Sequence, residues 1–121
     1  MSTSAAHAAT FYREVLTAGS VWAVRDQDGF PAPPAEGDAR VQPFWSRQSR
    51  AERIVATVDA FRGMDIIEIP LADWRGRWLP GLDRDQFLVG LNWSGDRATG
   101  YDIRPAEVER NLAAHEAVHP S

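Results

Sequence analysis

The sequence predicts an α+β fold, with a mainly antiparallel sheet of about five short strands and helices packed on it. Short runs rich in β-branched and aromatic residues are bounded by turn residues, and segments with helical periodicity separate them. The expected order of elements is α-β-β-α-β-α-β-β-α. Since 121 residues is the size of one domain, we expect a single domain over residues 1–121, with its core at about 8–114 and short flexible ends.

The chain begins with a predicted helix and two predicted strands. Apolar side chains recur on one helical face from residue 5 to residue 16, with Ser4 as a candidate N-cap, and Gly19 ends the pattern. The β-rich runs "SVWAVRD" and "VQPFWS" follow. The segment between them, "QDGFPAPPAEGDAR", is too rich in proline and glycine for regular structure. We therefore expect an antiparallel strand pair joined by a long loop.

The second predicted helix has the clearest periodicity in the chain. Its apolar residues recur at intervals of three and four: Ala51, Ile54, Val55, Val58 and Phe61. Ser49 and Glu52 have the spacing of a capping box, and Gly63 is placed to end the helix. This pattern predicts an amphipathic helix with one face on the core.

A strand and a short helix are predicted next. The run "DIIEIP" is rich in β-branched residues and predicts the strand. Leu71, Trp74 and Trp78 then have helical spacing, until Pro80-Gly81 breaks the pattern. We expect this helix to end at the proline, and Asp83-Arg84-Asp85 to form an exposed turn.

The final elements are two strands and a helix. Alternation in "QFLVGLNW" predicts a strand with four large apolar residues on one face: Phe87, Val89, Leu91 and Trp93. The run "YDI" predicts the last strand, and Pro105 opens a helix at its favoured first position.

Composition excludes several function classes. The chain has no cysteine, and all thirteen basic residues are arginine, so thiolate chemistry, lysine Schiff bases and the lysine of a P-loop are excluded. A net charge of −4 disfavours nucleic acid as a partner. No apolar run is long enough to span a membrane, and the N-terminal residues do not resemble a signal peptide. We therefore expect a cytoplasmic protein that binds neither nucleic acid nor membrane.

The most specific chemical hypothesis is an anion site in "FWSRQSRAER". If the second helix begins near Ser46, its first N–H groups and the hydroxyls of Ser46 and Ser49 converge with Arg47 and Arg50 on a place suited to phosphate or carboxylate. The alternative is that the serines only cap the helix and the arginines are solvated.

A second hypothesis concerns the five tryptophans. Trp74, Trp78 and Trp93 share predicted faces with other apolar residues, which favours core packing. Trp22 and Trp45 lie on β-rich segments beside charged or turn residues. Tryptophan and arginine are both enriched at protein interfaces, so Trp22 and Trp45 are candidate interface residues.

No catalytic, metal or cofactor site is predicted. The three histidines, His7, His115 and His119, lie near the termini, which disfavours a Ser-His-Asp mechanism. Asp26-x-Asp28-Gly29 lacks the remaining ligands of a calcium loop and predicts a turn. Catalysis by two carboxylates would need the fold to bring together pairs such as Glu68 with Asp85 or Asp102.

Four segments together carry a resemblance to a known family: "VWAVRDQDGF", "PFWSRQSRAER", "IPLADWRGRWLPGLDRDQFLVGLNW" and "YDIRPAEVERNL". From about Phe11 to Leu112 the chain resembles the bacterial domain of unknown function family 2750, in which Trp22, Trp45-Ser46, Trp78 to Leu82 and Pro105 match the pattern. The order of elements is also similar to the N-terminal domain of the SseB family. The first resemblance implies a small α+β domain without an established activity, and hence no catalytic residues.

The leading functional interpretation is a non-enzymatic domain that recognises another protein through a tryptophan and arginine surface, in a regulatory or toxin-neutralising role. The alternative is a small-molecule or anion-binding module at the start of the second helix. An enzyme that uses carboxylates is less favoured, because no catalytic constellation is visible. The sequence does not specify the oligomeric state.

Overall fold

A computed structural model of the chain describes residues 3–33, 39–95 and 99–118. Its elements confirm the α+β class and the predicted order. They are α1 (Thr3–Ala18), β1 (Ser20–Arg25), β2 (Arg40–Phe44), α2 (Gln48–Thr57), a 3₁₀ turn (Asp59–Phe61), β3 (Asp65–Pro70), α3 (residues 71–84), β4 (Phe87–Ser94), β5 (Thr99–Ile103) and α4 (Pro105–Val118).

The strands form two small sheets rather than the single sheet expected. In one sheet β1 pairs antiparallel with β3, from Ser20 opposite Pro70 to Arg25 opposite Asp65. In the other, β4 is central, parallel to β2 and antiparallel to β5. The prediction of β1 and β2 as an antiparallel pair is therefore wrong. The helices between β2 and β4 supply the long crossover that a parallel pair requires.

In the described part of the chain, one backbone bridge joins the two sheets. Trp22 on β1 and Trp45, directly after β2, exchange two backbone hydrogen bonds of 2.8 Å each in antiparallel orientation. This bridge is all that remains of the predicted β1–β2 pairing. It fixes the end of β2, and hence the start of α2, beside the middle of β1.

Helix α2 differs from its prediction at both ends. It begins after Arg47 without a side-chain cap and ends at Thr57, so Ser49 and Glu52 form no capping box. The chain continues through the 3₁₀ turn to Gly63, which has the positive φ of +80° that favours glycine. Most of the predicted apolar face is confirmed, because Ala51, Ile54, Val58 and Phe61 are buried, whereas Val55 is half-buried.

Pro80 and Gly81 do not end α3, contrary to expectation. The segment Leu71–Asp73 is α-helical, Trp74–Trp78 forms a π turn, and Leu79–Arg84 is α-helical again. In the π turn the N–H of Leu79 bonds to the carbonyl of Trp74, five residues back. The wider turn just before Pro80 accommodates a residue that lacks an N–H and would otherwise clash with the preceding turn. The exposed Asp83 and Arg84 therefore belong to the last helical turn.

The buried residues form two clusters on different sides of the sheets. The first contains the inner faces of α1, α3 and α4 together with Val89 and Leu91 of β4. The second lies beneath α2 and includes Trp45, Ile54, Phe61 and Trp93.

Trp93 is therefore not on the face of β4 that carries Val89 and Leu91. Asn92 has a left-handed backbone with φ of +53°, and the register with β5 shifts between Leu91 and Ser94. This bulge breaks the alternation and turns the indole of Trp93 back over Gly90. A Cβ placed on Gly90 would lie only 2.5 Å from Nε1 of Trp93.

Among the described residues, the longest helices are too short or too polar for a membrane span.

Candidate functional site

A cleft of about 420 Å³ opens between the second half of α1, the middle of β1 and the start of α2. We call it the Trp22 cleft. It brings together residues from both of the predicted sites, and its lining includes Arg13, Glu14, Trp22, Ser46, Arg47 and Ser49. The bridge between Trp22 and Trp45 sets the distance between its walls, because it holds β1 against the residues that lead into α2.

Glu14 on α1 carries the carboxylate at the base of the Trp22 cleft. Its side chain is only 9% exposed. It accepts a hydrogen bond of 2.6 Å from the hydroxyl of Ser46 and one of 3.0 Å from Nε of Arg50, and it pairs with Nε of Arg47 at 2.8 Å. Burial would raise the pKa of Glu14, but the hydrogen bonds from Arg50 and Ser46 and the two arginine charges outweigh it. The pKa of Glu14 is therefore lowered from its ordinary value.

Asn92 completes this network from the bulge in β4. Its Oδ1 accepts the backbone N–H of Ser46 at 2.9 Å, and its Nδ2 donates to Oγ of Ser46 at 2.9 Å. Ser46 itself is fully buried. Ser46 is therefore an internal link between α1, β4 and the start of α2.

The predicted anion site contains an anion from the chain itself. The carboxylate of Glu14 lies where Ser46, Arg47 and Arg50 converge. An external phosphate would have to displace it or bind farther out. Two of the predicted residues still face the solvent: the side chain of Arg47 is 63% exposed, and Ser49 is exposed.

The two candidate interface tryptophans differ in exposure. Trp22 is half-buried and lines the cleft. Trp45 is fully buried, and its indole N–H donates to the carbonyl of Trp93 at 2.8 Å. The prediction of Trp45 as an interface residue is therefore corrected, because its side chain belongs to the core beneath α2 and reaches no surface.

The rim of the Trp22 cleft is positively charged. Arg13 lies on α1, and Arg47 is the residue that precedes α2. Both side chains line the cleft and are exposed. Within the described part of the chain, no side chain caps the first turn of α2, where Gln48 and Ser49 line the cleft. The N–H groups of that turn add partial positive charge on the same side. The cleft can thus accept a carboxylate beside the partly exposed indole of Trp22.

The other residues considered for catalysis or metal binding lie in packing contacts, a turn or separate strands. His115 packs against the ring of Tyr12 with centroids 5.2 Å apart, whereas His119 lies outside the described residues. Asp26 and Gly29 close a tight turn through two mutual backbone hydrogen bonds, as expected. Glu68 lies on β3 and Asp102 on β5, in different sheets. Among residues 3–33, 39–95 and 99–118, no group of three or more acidic or histidine side chains could hold a metal ion.

Sequence reasoning missed Glu14, Arg13 and Asn92. Glu14 lies between the apolar residues Tyr12 and Val15 of α1. No local sequence pattern distinguishes it from an exposed helical glutamate. Asn92 was only weakly indicated as the site of a bulge, since asparagine tolerates the left-handed conformation better than most residues. Its role depends on contacts with Ser46, which is 46 residues away in the chain.

The fold and the Trp22 cleft define a small α+β domain with a charged surface cleft. A family model described as "Protein of unknown function (DUF2750)" matches residues 8–112. The chain therefore belongs to the DUF2750 family, as its motifs predicted. The matched region contains every residue named in the lining of the Trp22 cleft. No curated protein matches the chain.

Proposed function

We propose that this chain is a protein-recognition domain that binds an acidic segment of a partner protein in the Trp22 cleft. The observation that carries the proposal is that a half-buried tryptophan lines the same cleft as two exposed arginines, Arg13 and Arg47, on a chain whose net charge is −4. A basic cleft on an acidic protein favours an acidic partner and repels other copies of the same surface.

Trp22 supplies the apolar part of this recognition. A partly exposed indole offers a large rigid surface at a small entropic cost, and tryptophan is among the commonest hot-spot residues at interfaces. The backbone of Trp22 is fixed by β3 on one side and by Trp45 on the other. The side chain is therefore presented on a rigid strand rather than on a loop.

The arginines supply the charged part. Glu14 pairs with Nε of Arg47 at 2.8 Å, which restrains the guanidinium, and we assign the two Nη nitrogens of Arg47 to the partner. A partner carboxylate would pair with these nitrogens and with the first N–H groups of α2. The buried carboxylate of Glu14 thus acts as a positioning group, and the exposed arginines contact the partner.

A peptide display experiment tests the proposal. The labelled domain is used to select from a randomised peptide library, and the enriched peptides are measured against wild type, Trp22→Ala and Arg47→Gln. We expect enrichment of Asp or Glu next to a large apolar residue, and a loss of affinity of roughly tenfold or more in Trp22→Ala.

Arg62→Gln is the matched control for the loss of an arginine. Arg62 is exposed and, among the described residues, pairs only with Asp59 in the 3₁₀ turn, so its removal should leave peptide affinity unchanged. Peptides that bind wild type and Trp22→Ala equally well would overturn the proposal.

A further inference from the structure

A second cavity, of about 240 Å³, lies on the opposite side of α2 from the Trp22 cleft. One wall is a single face of α2, because Arg50, Arg53, Ile54 and Thr57 recur at intervals of three, four and seven. The other wall is the end of β4, from Asn92 to Gly95. The bulge at Asn92 creates this wall, since it turns Trp93 toward α2 and away from Val89 and Leu91.

The floor of this cavity is apolar and its rim is cationic. Ile54 and Trp93 are 2% and 7% exposed, respectively, and both belong to the cluster beneath α2. Arg53 is exposed, and among the described residues no ion pair involves it. Arg50 binds Glu14 through Nε and Nη2, so that its third nitrogen, Nη1, remains outside this contact.

We propose that this cavity binds a small carboxylate with a single apolar ring. Its volume is below the ~300–1,000 Å³ that is typical of pockets for drug-sized ligands, so the apolar body is limited to about one ring. Ile54 and Trp93 would contact the ring, while Arg53 and Nη1 of Arg50 would neutralise the carboxylate. The site is separate from the Trp22 cleft, and the two proposals stand or fall independently.

Titration with phenylacetate, followed by NMR, tests this site. The reporters are the methyl groups of Ile54 and the indole N–H of Trp93, and phenylacetamide is the neutral probe of the same shape. We expect millimolar phenylacetate to shift both reporters in a saturable manner, and phenylacetamide to bind several-fold more weakly because it lacks the charge.

Two variants of Arg53 make the test specific. Arg53→Gln should weaken phenylacetate binding about fivefold, the size expected for one partly exposed ion pair, and Arg53→Lys should restore most of it. Both variants are at an exposed helical position, so both should keep the folded spectrum. Arg62→Gln removes an exposed arginine that is not in the lining of either cavity, and it should leave the affinity for phenylacetate unchanged.

Three results would overturn the proposal. One is the absence of any shift at Ile54 and Trp93 in millimolar phenylacetate. Another is equal affinity for phenylacetamide, which would remove the role of the charge. The third is a loss of affinity in Arg62→Gln as large as that in Arg53→Gln, which would show that the effect of Arg53 is not specific to this cavity.

Discussion

The carboxylate of Glu14 accepts a hydrogen bond of 2.6 Å from the hydroxyl of Ser46, which is fully buried. This contact ties α1 to the start of α2 across 32 residues of chain. Because Arg47 and Arg50 bind the same carboxylate, Glu14 also determines where both guanidinium groups lie. The position of Arg47 on the basic rim of the Trp22 cleft therefore depends on Glu14.

Replacing Glu14 by Gln should destabilise the protein by about 1–2 kcal/mol at neutral pH, since the charge-assisted hydrogen bonds to Ser46 and Arg50 are lost or weakened. Urea denaturation measures this change in the free energy of unfolding. Asp59→Asn is the control, because the Asp59 side chain is 92% exposed in its pair with Arg62. This substitution should lower the free energy of unfolding by less than about 0.5 kcal/mol. Equal effects of the two substitutions would contradict the role of the Glu14 network.

The stability of wild type should fall in acid more steeply than that of Glu14→Gln. The folded-state pKa of Glu14 lies below its ordinary value. Its contribution is therefore present above the ordinary pKa and is lost as pH falls through the lowered, folded-state pKa. Denaturation curves measured at a series of acidic pH values give this difference. Parallel pH profiles for the two proteins would show that Glu14 titrates normally in the folded state.

Asp102 should have the opposite pH dependence. Burial raises the pKa of Asp102, and the hydrogen bond from the indole of Trp93 offsets this only in part. The folded protein thus holds this proton to higher pH than the unfolded chain, and stability falls as pH rises from the ordinary pKa through the raised one. Asp102→Asn keeps an oxygen acceptor for Trp93 and should remove this fall. A fall of the same size in the variant would assign it to another group.

Gly90→Ala should destabilise the protein by about 2 kcal/mol, since the added methyl group would overlap the indole ring of Trp93. Thermal or urea denaturation provides the measurement. Gly76→Ala is the matched control: Gly76 lies in the π turn of α3, and a Cβ there meets no atom within 4 Å. Alanine at Gly76 should be neutral or stabilising by up to about 1 kcal/mol. Tolerance of both changes would contradict the position of Trp93.

The class and order of elements could be predicted because they follow from local patterns. Period-two and helical runs, with proline and glycine between them, are visible in any window of the sequence. Helix α4 does begin at Pro105, and β3 does span Asp65–Pro70.

The errors arose where a distant contact outweighed a local preference or where the backbone departed from regular geometry. Ser49 and Glu52 have capping-box spacing, yet α2 begins where Ser46 is held by Glu14 and Asn92. Alternation in β4 predicted the wrong face for Trp93, because the left-handed backbone of Asn92 and the register shift between Leu91 and Ser94 turn this side chain to the other face.

The candidate site was predictable only in its parts. Residues 46–50 and Trp22 were each identifiable from composition and spacing. Their meeting in one cleft depends on the bridge from Trp22 to Trp45, and the identity of the carboxylate depends on Glu14 in a different helix. Neither contact leaves a local pattern in the sequence.

The most direct test of the proposed function is to map the binding of a selected acidic peptide by NMR. We expect the indole N–H of Trp22 and the amides of Gln48 and Ser49 to shift on titration. We also expect the same peptide with each Asp and Glu replaced by Asn and Gln to produce much smaller shifts. An acidic peptide that binds while these three signals stay in place, or a neutral peptide that shifts them equally, would contradict the account.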